Sequence, residues 1–273
     1  MCFNTVIVNP RKKRLQFLDG VLRAEMLSNR DGYGLWSYDP DVYARSVKME
    51  DFWRWWEEAR SARLIHVHFR AASSGSVDLD NVHMWRVGDY YVSHNGYVLE
   101  FMDSYADWGL LWSRPRGKRG RYLWWDEDVV EGAVPKEGGG HEDSDTLKLV
   151  RTYGFREAVE KRDLGELAKM LRCTGFFGVM FLTKPTEVIA ISKGKPLYVY
   201  DFSGILVLVN GELHHSIYSY RKYGIEFRTP VPHRAYVNSI LEFDVERMQL
   251  RRVRPIESWP RDWEPDPEVL KGL

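Results

Sequence analysis

Hydrophobic and polar positions along this chain change period several times. Phe3 to Val8 is a short β-rich run stopped by Asn9-Pro10, which predicts a strand starting directly after Cys2. Phe17, Val21, Leu22, Ala24 and Met26 then recur at mostly helical spacing up to Ser28-Asn29. Gly32 and Gly34 bracket a turn, and Leu35 to Tyr38 reads as a second strand. Phe52, Trp55, Trp56 and Ala59 follow the i, i+3, i+4, i+7 pattern of an amphipathic helix. Leu64 to Phe69 and Trp85 to Ser93 predict strands, the second interrupted at Gly88-Asp89, and Leu164, Leu167, Ala168 and Leu171 mark a later helix.

From Phe176 onward short strands repeat. Phe177 to Leu182, Glu187 to Ile191, Leu197 to Tyr200 and Ile205 to Val209 are separated by Lys-Pro, Lys-Gly-Lys-Pro and Asp-Phe-Ser-Gly turns. A helix is expected around His215 to Tyr223, with strands near Tyr236 to Val245 and Gln249 to Val253. Strands and helices alternate in blocks without βαβ regularity or an internal repeat, which favours an α+β layered sandwich over a doubly wound sheet. One domain is expected over residues 1–258, with Trp259 to Leu273, which holds three prolines, as a surface tail. Phe101 to Gly140 breaks the pattern, mixing Arg114, Arg116, Lys118, Arg119 and Arg121 with Trp108, Trp112, Trp124 and Trp125 before three glycines. It reads as a solvated insertion with aromatic anchors, or as a lid or partner-docking surface.

Composition narrows the function classes. Equal numbers of basic and acidic residues (39 each) give no reason to expect nucleic acid as a partner. The two cysteines, Cys2 and Cys173, form neither a disulfide framework nor a Cys-based zinc site. No apolar run approaches the ~18–20 residues needed to span a bilayer, and the N-terminus lacks the pattern of a signal peptide. A cytoplasmic location without membrane association is therefore the expectation.

Two features carry chemistry. Removal of Met1 would make Cys2 the first residue, and its α-amine, with a pKa near ~7.7–8.0, would serve as the thiol's own base. Asn95-Gly96 has two readings: the preferred dipeptide of a type I′ hairpin turn, or a pair of donors for an oxyanion, the Asn95 amide and the Gly96 N–H. His66-Val67-His68 puts two imidazoles on one strand face, with His83 and His94 elsewhere, but no carboxylate or Cys stands at supporting spacing. The two are expected to be hydrogen-bonded strand residues, and neither metal nor cofactor is called for.

In order along the chain stand Met1-Cys2, Asp31-Gly32-Tyr33-Gly34, His68-Phe69-Arg70-Ala71-Ala72-Ser73, Asn81-Val82-His83 eleven residues after Arg70, His94-Asn95-Gly96 and Ser144-Asp145-Thr146. This series resembles the class II glutamine amidotransferases, which are N-terminal-nucleophile hydrolases. The resemblance spans roughly Cys2 to Leu208. It implies a four-layer αββα sandwich of two mainly antiparallel sheets, and a stand-alone glutaminase-type domain. It further implies that Cys2 attacks the glutamine side-chain amide to give a thioester, and that Asn95 and Gly96 form the oxyanion hole. Arg70 would grip the substrate α-carboxylate and Asp145 the α-ammonium, with Asp143 as a nearby competitor, while Ser73 and His83 would line or support the pocket. Ammonia would pass to an unidentified acceptor, for which a separate synthase subunit is the partner the resemblance suggests. Phe3 and Ala71 depart from residues common in the family. Two other readings keep the fold: an amidase for another γ-glutamyl compound, and a catalytically silent binding protein.

Overall fold

A computed structural model of the protein describes residues 2–72, 75–98, 143–173, 176–210 and 234–256. Ser73, the Phe101 to Gly140 segment, the helix expected at His215 to Tyr223 and the Trp259 to Leu273 tail lie outside the described residues. The first sheet contains β1 (Phe3–Val8), β2 (Tyr33–Tyr38), β3 (Val42–Ser46), β4 (Leu64–Phe69), β9 (Leu197–Asp201), β10 (Leu206–Asn210) and β11 (Arg234–Tyr236), in the order β11-β9-β10-β1-β4-β2-β3. The second contains β5 (Trp85–Val87), β6 (Tyr90–Val98), β7 (Phe176–Lys184), β8 (Glu187–Lys193), β12 (Ser239–Asp244) and β13 (Gln249–Pro255), in the order β13-β12-β8-β7-β6-β5. Every named strand pair is antiparallel.

Three hydrophobic clusters define the layers. Alternate residues of β1 and β4 (Phe3, Ile7, Ile65, Val67, Phe69) pack outward against α1 (Asp19–Ser28) and α2 (Phe52–Ala59). Phe52, Trp56 and Ala59 of α2 are buried, and Phe52 meets Phe69 edge-on at 4.8 Å. Trp56 Nε1 also donates to Asp19 at 2.8 Å, tying the two helices together. On the far side, Val92, Val98, Met180 and Ile189 pack against α3 (Asp145–Arg151), α4 (Tyr153–Glu160) and α5 (Leu164–Cys173). The third cluster, including Val6, Val8, Leu64, Val179 and Phe181, joins the two sheets face to face. The architecture is α+β, helices–sheet–sheet–helices, as the resemblance implied.

The details differ from the sequence expectation in several places. Gly34 lies inside β2 rather than in a turn. β3 went unforeseen because Val42–Ser46 carries too few apolar positions, yet it closes a hairpin on β2. The helices α3 and α4 are also unforeseen: each has eight residues or fewer, but Ser144 and Thr152 cap them by accepting N–H donors from Leu147 and Phe155. The strand expected over Tyr236 to Val245 divides into β11 and β12, in different sheets. No helix among the described residues is long and apolar enough to cross a membrane.

Candidate active site

Strand alternation sets the site. Val6 and Val8 of β1 face between the sheets, so Asn4 and Cys2 point the same way. On β4 the same face carries Leu64, His66 and His68, with Arg70 next in phase just past the strand end. On β6, Val92 and Val98 face the helices while Tyr91 faces the other sheet; Ser93, Asn95 and Tyr97 follow Tyr91. A buried polar layer joins the sheets: Ser93 Oγ donates to Asn4 Oδ1 at 2.7 Å, and His66 contacts Ser93 Oγ at 2.5 Å and Thr183 Oγ1 at 2.8 Å. Because the Ser93 proton is used on Asn4, His66 must donate from Nε2 and accept at Nδ1. Burial pulls its pKa down to about 3. Cys2 and Asn95 each lie one strand repeat, two residues, beyond the Asn4–Ser93 bond.

Cys2 is half-buried, and its sulfur lies 3.4 Å from both the N–H and the carbonyl oxygen of Ala71. Burial pushes the thiol pKa up; the Ala71 N–H and the Arg70 charge pull it down, and Asp145 pushes it up. Its nitrogen is here in peptide linkage to Met1. The Arg70 segment is clasped by the Asp31-Gly32 turn. Arg70 N donates to Gly32 O at 2.8 Å, Asp31 N to Arg70 O at 3.0 Å, and Ala72 N to the Asp31 carboxylate at 2.7 Å. The guanidinium is buried, donates to Ser76 O at 2.7 Å, and has its pKa lowered by that burial, with Cys2, Asp31, Asp78 and Asp145 acting the other way.

Asn81-Val82-His83 packs onto the same turn. A Cβ on Gly34 would lie 2.1 Å from His83 O, so only glycine permits the approach. Asn81 Oδ1 accepts the Ser144 N–H at 2.6 Å, which anchors the start of α3. Asp145 then accepts the Val98 N–H at 2.6 Å, and Thr146 Oγ1 lies 2.9 Å from His94 Nδ1. The Ser144-Asp145-Thr146 triplet thus ties the start of α3 to the Asn81 loop through Ser144 and to β6 through Asp145 and Thr146. Asp143 instead pairs with Arg151. His83 is buried, stacks on His68 with ring centroids 4.0 Å apart, and accepts the His94 N–H at 3.2 Å.

Asn95-Gly96 is not a hairpin turn; it lies within β6, opposite Val179 and Gly178 of β7. A Cβ on Gly96 would fall 1.8 Å from Phe177 O. Asn95 is buried, and its Nδ2 has no hydrogen-bond partner among the described residues. His66 is hydrogen-bonded as expected, whereas neither ring nitrogen of buried His68 makes a well-aligned hydrogen bond to a described residue, although the His94 backbone lies against it. No group of three or more His, Cys, Asp or Glu among those residues is arranged to hold a metal ion.

Two further side chains belong to the same neighbourhood. Tyr97 has its phenol pKa raised by burial, then by Asp145 and Cys2. The Lys195 ammonium, in the turn between β8 and β9, is pulled down by burial and up by Cys2. Tyr97 was legible in principle, since it stands two residues after Asn95 on one strand. Lys195 carried no local signal, because only the tertiary fold brings its turn to Cys2.

No protein-family model matches the chain, and no curated protein matches its sequence. Solved structures do match its fold. The glutamine phosphoribosylpyrophosphate amidotransferase of B. subtilis superposes with a TM-score of 0.52 at 12% identity, covering 94% of this chain and 49% of that one. A structure described as the allosteric regulatory enzyme of purine biosynthesis gives 0.54 at 14% identity, with coverages of 94% and 49%. A glutamine aminotransferase class-II domain protein from Silicibacter pomeroyi gives 0.50 at 12% identity, covering 94% of this chain and 100% of that one. The chain spans about half the length of the first two and the full length of the third. The fold is that of these class II amidotransferase domains.

Proposed function

We propose that this chain is an N-terminal-cysteine amidohydrolase that cleaves the side-chain amide of glutamine. The observation that carries the reading is the buried Asn95 amide nitrogen, with no partner among the described residues, on the inter-sheet face that also carries Cys2. Leaving such a donor unpaired costs about 1–3 kcal/mol, a cost that an oxyanion bound during reaction would remove.

The chemistry follows from the site. Once Met1 is removed, the α-amine of Cys2 takes the thiol proton and the sulfur attacks the amide carbon. The carbonyl oxygen becomes an oxyanion held by Asn95 Nδ2 and the Gly96 N–H. Collapse breaks the C–N bond, the α-ammonium returns its proton to the leaving nitrogen, and ammonia departs from a γ-glutamyl thioester. Water, deprotonated by the same amine, then releases glutamate and restores the thiol. Arg70 binds the substrate α-carboxylate and Asp145, with one oxygen committed to the Val98 N–H, receives the α-ammonium. His83 holds the His94 N–H next to Asn95; the role expected of Ser73 stays with the family resemblance. The ammonia is either released or taken up by an acceptor.

The test is glutamate release from glutamine by protein whose mass shows that Met1 is absent. Wild type is expected to turn over and Cys2→Ala to lose activity by more than a thousandfold while keeping its circular dichroism. Full turnover by Cys2→Ala would reject the assignment.

A further inference from the structure

We infer that Lys195 is a positioning cation of the Cys2 site, set on the turn between β8 and β9 to favour the thiolate that forms when the sulfur gives up its proton. The inference deepens the amidohydrolase reading and rests on it.

The geometry begins at Tyr97 and Phe177, register partners across β6 and β7 whose rings stack with centroids 6.5 Å apart. Both face between the sheets, since Phe176 and Met180 on β7 face the helices. Lys195 Nζ lies 5.7 Å from the Tyr97 centroid and 5.6 Å from that of Phe177, within cation–π range of both. The turn that carries it is pinned. Gly194 bridges to Gly178, and a Cβ on Gly194 would lie 2.2 Å from the Phe177 ring. Its φ of +69° also favours glycine. The two rings thus fix the ammonium at the Asn95–Tyr97 side of the nucleophile.

Charge explains why a cation there matters. Cys2 has lost solvent, which disfavours the thiolate. The Ala71 N–H and the Arg70 charge favour the thiolate, and Asp145 opposes it. Arg70 is a diluted source of positive charge, because Asp31, Asp78 and Asp145 also act on it and it already donates to Ser76 O. Tyr97 is neutral near pH 7, and His94, on the opposite face of β6, is kept neutral by burial. Lys195 and Cys2 act on each other, and such an effect is mutual: a thiolate that favours the ammonium is favoured by it. A nearby charge at this remove in a partly solvated site changes a pKa by about one unit.

The experiment measures alkylation of Cys2 by iodoacetamide against pH, read by mass spectrometry on the labelled peptide, in Met1-processed wild type, K195M, K195Q and K195R. The alkylation midpoint is expected to rise by about one pH unit in both neutral variants and to return to within a few tenths in K195R. Glutamine hydrolysis at pH 7 should fall about tenfold in kcat, with KM unchanged, in K195M and K195Q. A purely structural lysine would alter thermal stability without moving the midpoint. An unchanged midpoint in either neutral variant that keeps its near-ultraviolet circular dichroism overturns the inference. If both neutral variants lose their fold, K195A and K195S are measured in the same way, and an unchanged midpoint in either one that stays folded overturns it equally. Alkylation needs no substrate, so a shifted midpoint without glutamine turnover would retain Lys195 and reject the glutamine reading alone.

Discussion

Asn81 and Asn95 carry the same side chain and are used in opposite ways. Asn81 spends its amide on structure: Oδ1 accepts the Ser144 N–H, and Nδ2 reaches Ser76 Oγ at 3.2 Å and the Asp78 carboxylate. Asn95 is as deeply buried, yet its Nδ2 makes no hydrogen bond to any described residue. Their alanine variants should therefore separate. Asn81→Ala is expected to destabilise the fold by about 1–3 kcal/mol, because it strips the Ser144 N–H of its acceptor, and to raise KM as the start of α3 and Asp145 lose their anchor. Asn95→Ala is expected to leave the urea midpoint nearly unchanged while lowering kcat about 10²–10³-fold, the usual effect of removing one oxyanion donor. Steady-state kinetics and urea titration of the pair check both halves. Equal loss of stability in the two variants would contradict the division.

At the scale of elements, the site depends on backbone contacts that exclude side chains. β6 and β7 approach so closely at Gly96 and Gly178 that a methyl group on Gly96 would overlap the Phe177 carbonyl. Gly96→Ala should cost about 3 kcal/mol or more. Gly204, in the turn before β10, has φ +86° and nothing within 4 Å of its missing Cβ, so Gly204→Ala should cost only the left-handed backbone penalty of about 1–2 kcal/mol. Thermal or urea unfolding of the two variants measures the difference. The Asp31-Gly32 turn works similarly for β4, since its hydrogen bonds to Arg70 and Ala72 fix where the guanidinium leaves the strand.

Four buried, neutral histidines join the two sheets: His66 and His68 on β4 of the first, His94 on β6 of the second, and His83 stacked on His68. Burial drives His66 and His94 down to about 3, and His68 and His83 well below the ordinary histidine value. The folded state therefore binds fewer protons than the unfolded chain between those values and about 6.5. For a group with a depressed folded pKa, its stabilisation is complete above the unfolded pKa and is lost as pH falls. At pH 5 each unfolded histidine gains roughly 2 kcal/mol from protonation that the folded protein forgoes. His66 and His94 together make this a sizeable part of the total stability of a typical domain, about 5–15 kcal/mol, and His68 and His83 act in the same direction. Stability should be flat from pH 8 to 7 and fall steadily as the pH drops below 6.5. Urea midpoints across that range check the slope, and His66→Gln should make it shallower.

Much of the fold was legible because its determinants are local. Period-two alternation in Phe3 to Val8 and Leu64 to Phe69, and helical spacing in Phe52 to Ala59, each need only neighbouring residues to specify an element and its buried face. The order Cys2, Arg70, Asn95, Asp145 was likewise written in spaced motifs, and the paired antiparallel sheets followed from the resemblance they carry. The chain alone could not decide whether Asn95-Gly96 turns or continues a strand, since that depends on β7 arriving alongside to bond it. It could not reveal that Ser144 is held by Asn81 while Asp145 and Thr146 grip β6, or that a lysine a hundred residues from Asn95 lies over Tyr97. Those outcomes are long-range. A side chain's partner across two sheets is set by register and packing, and neither can be read from the residues on either side of it.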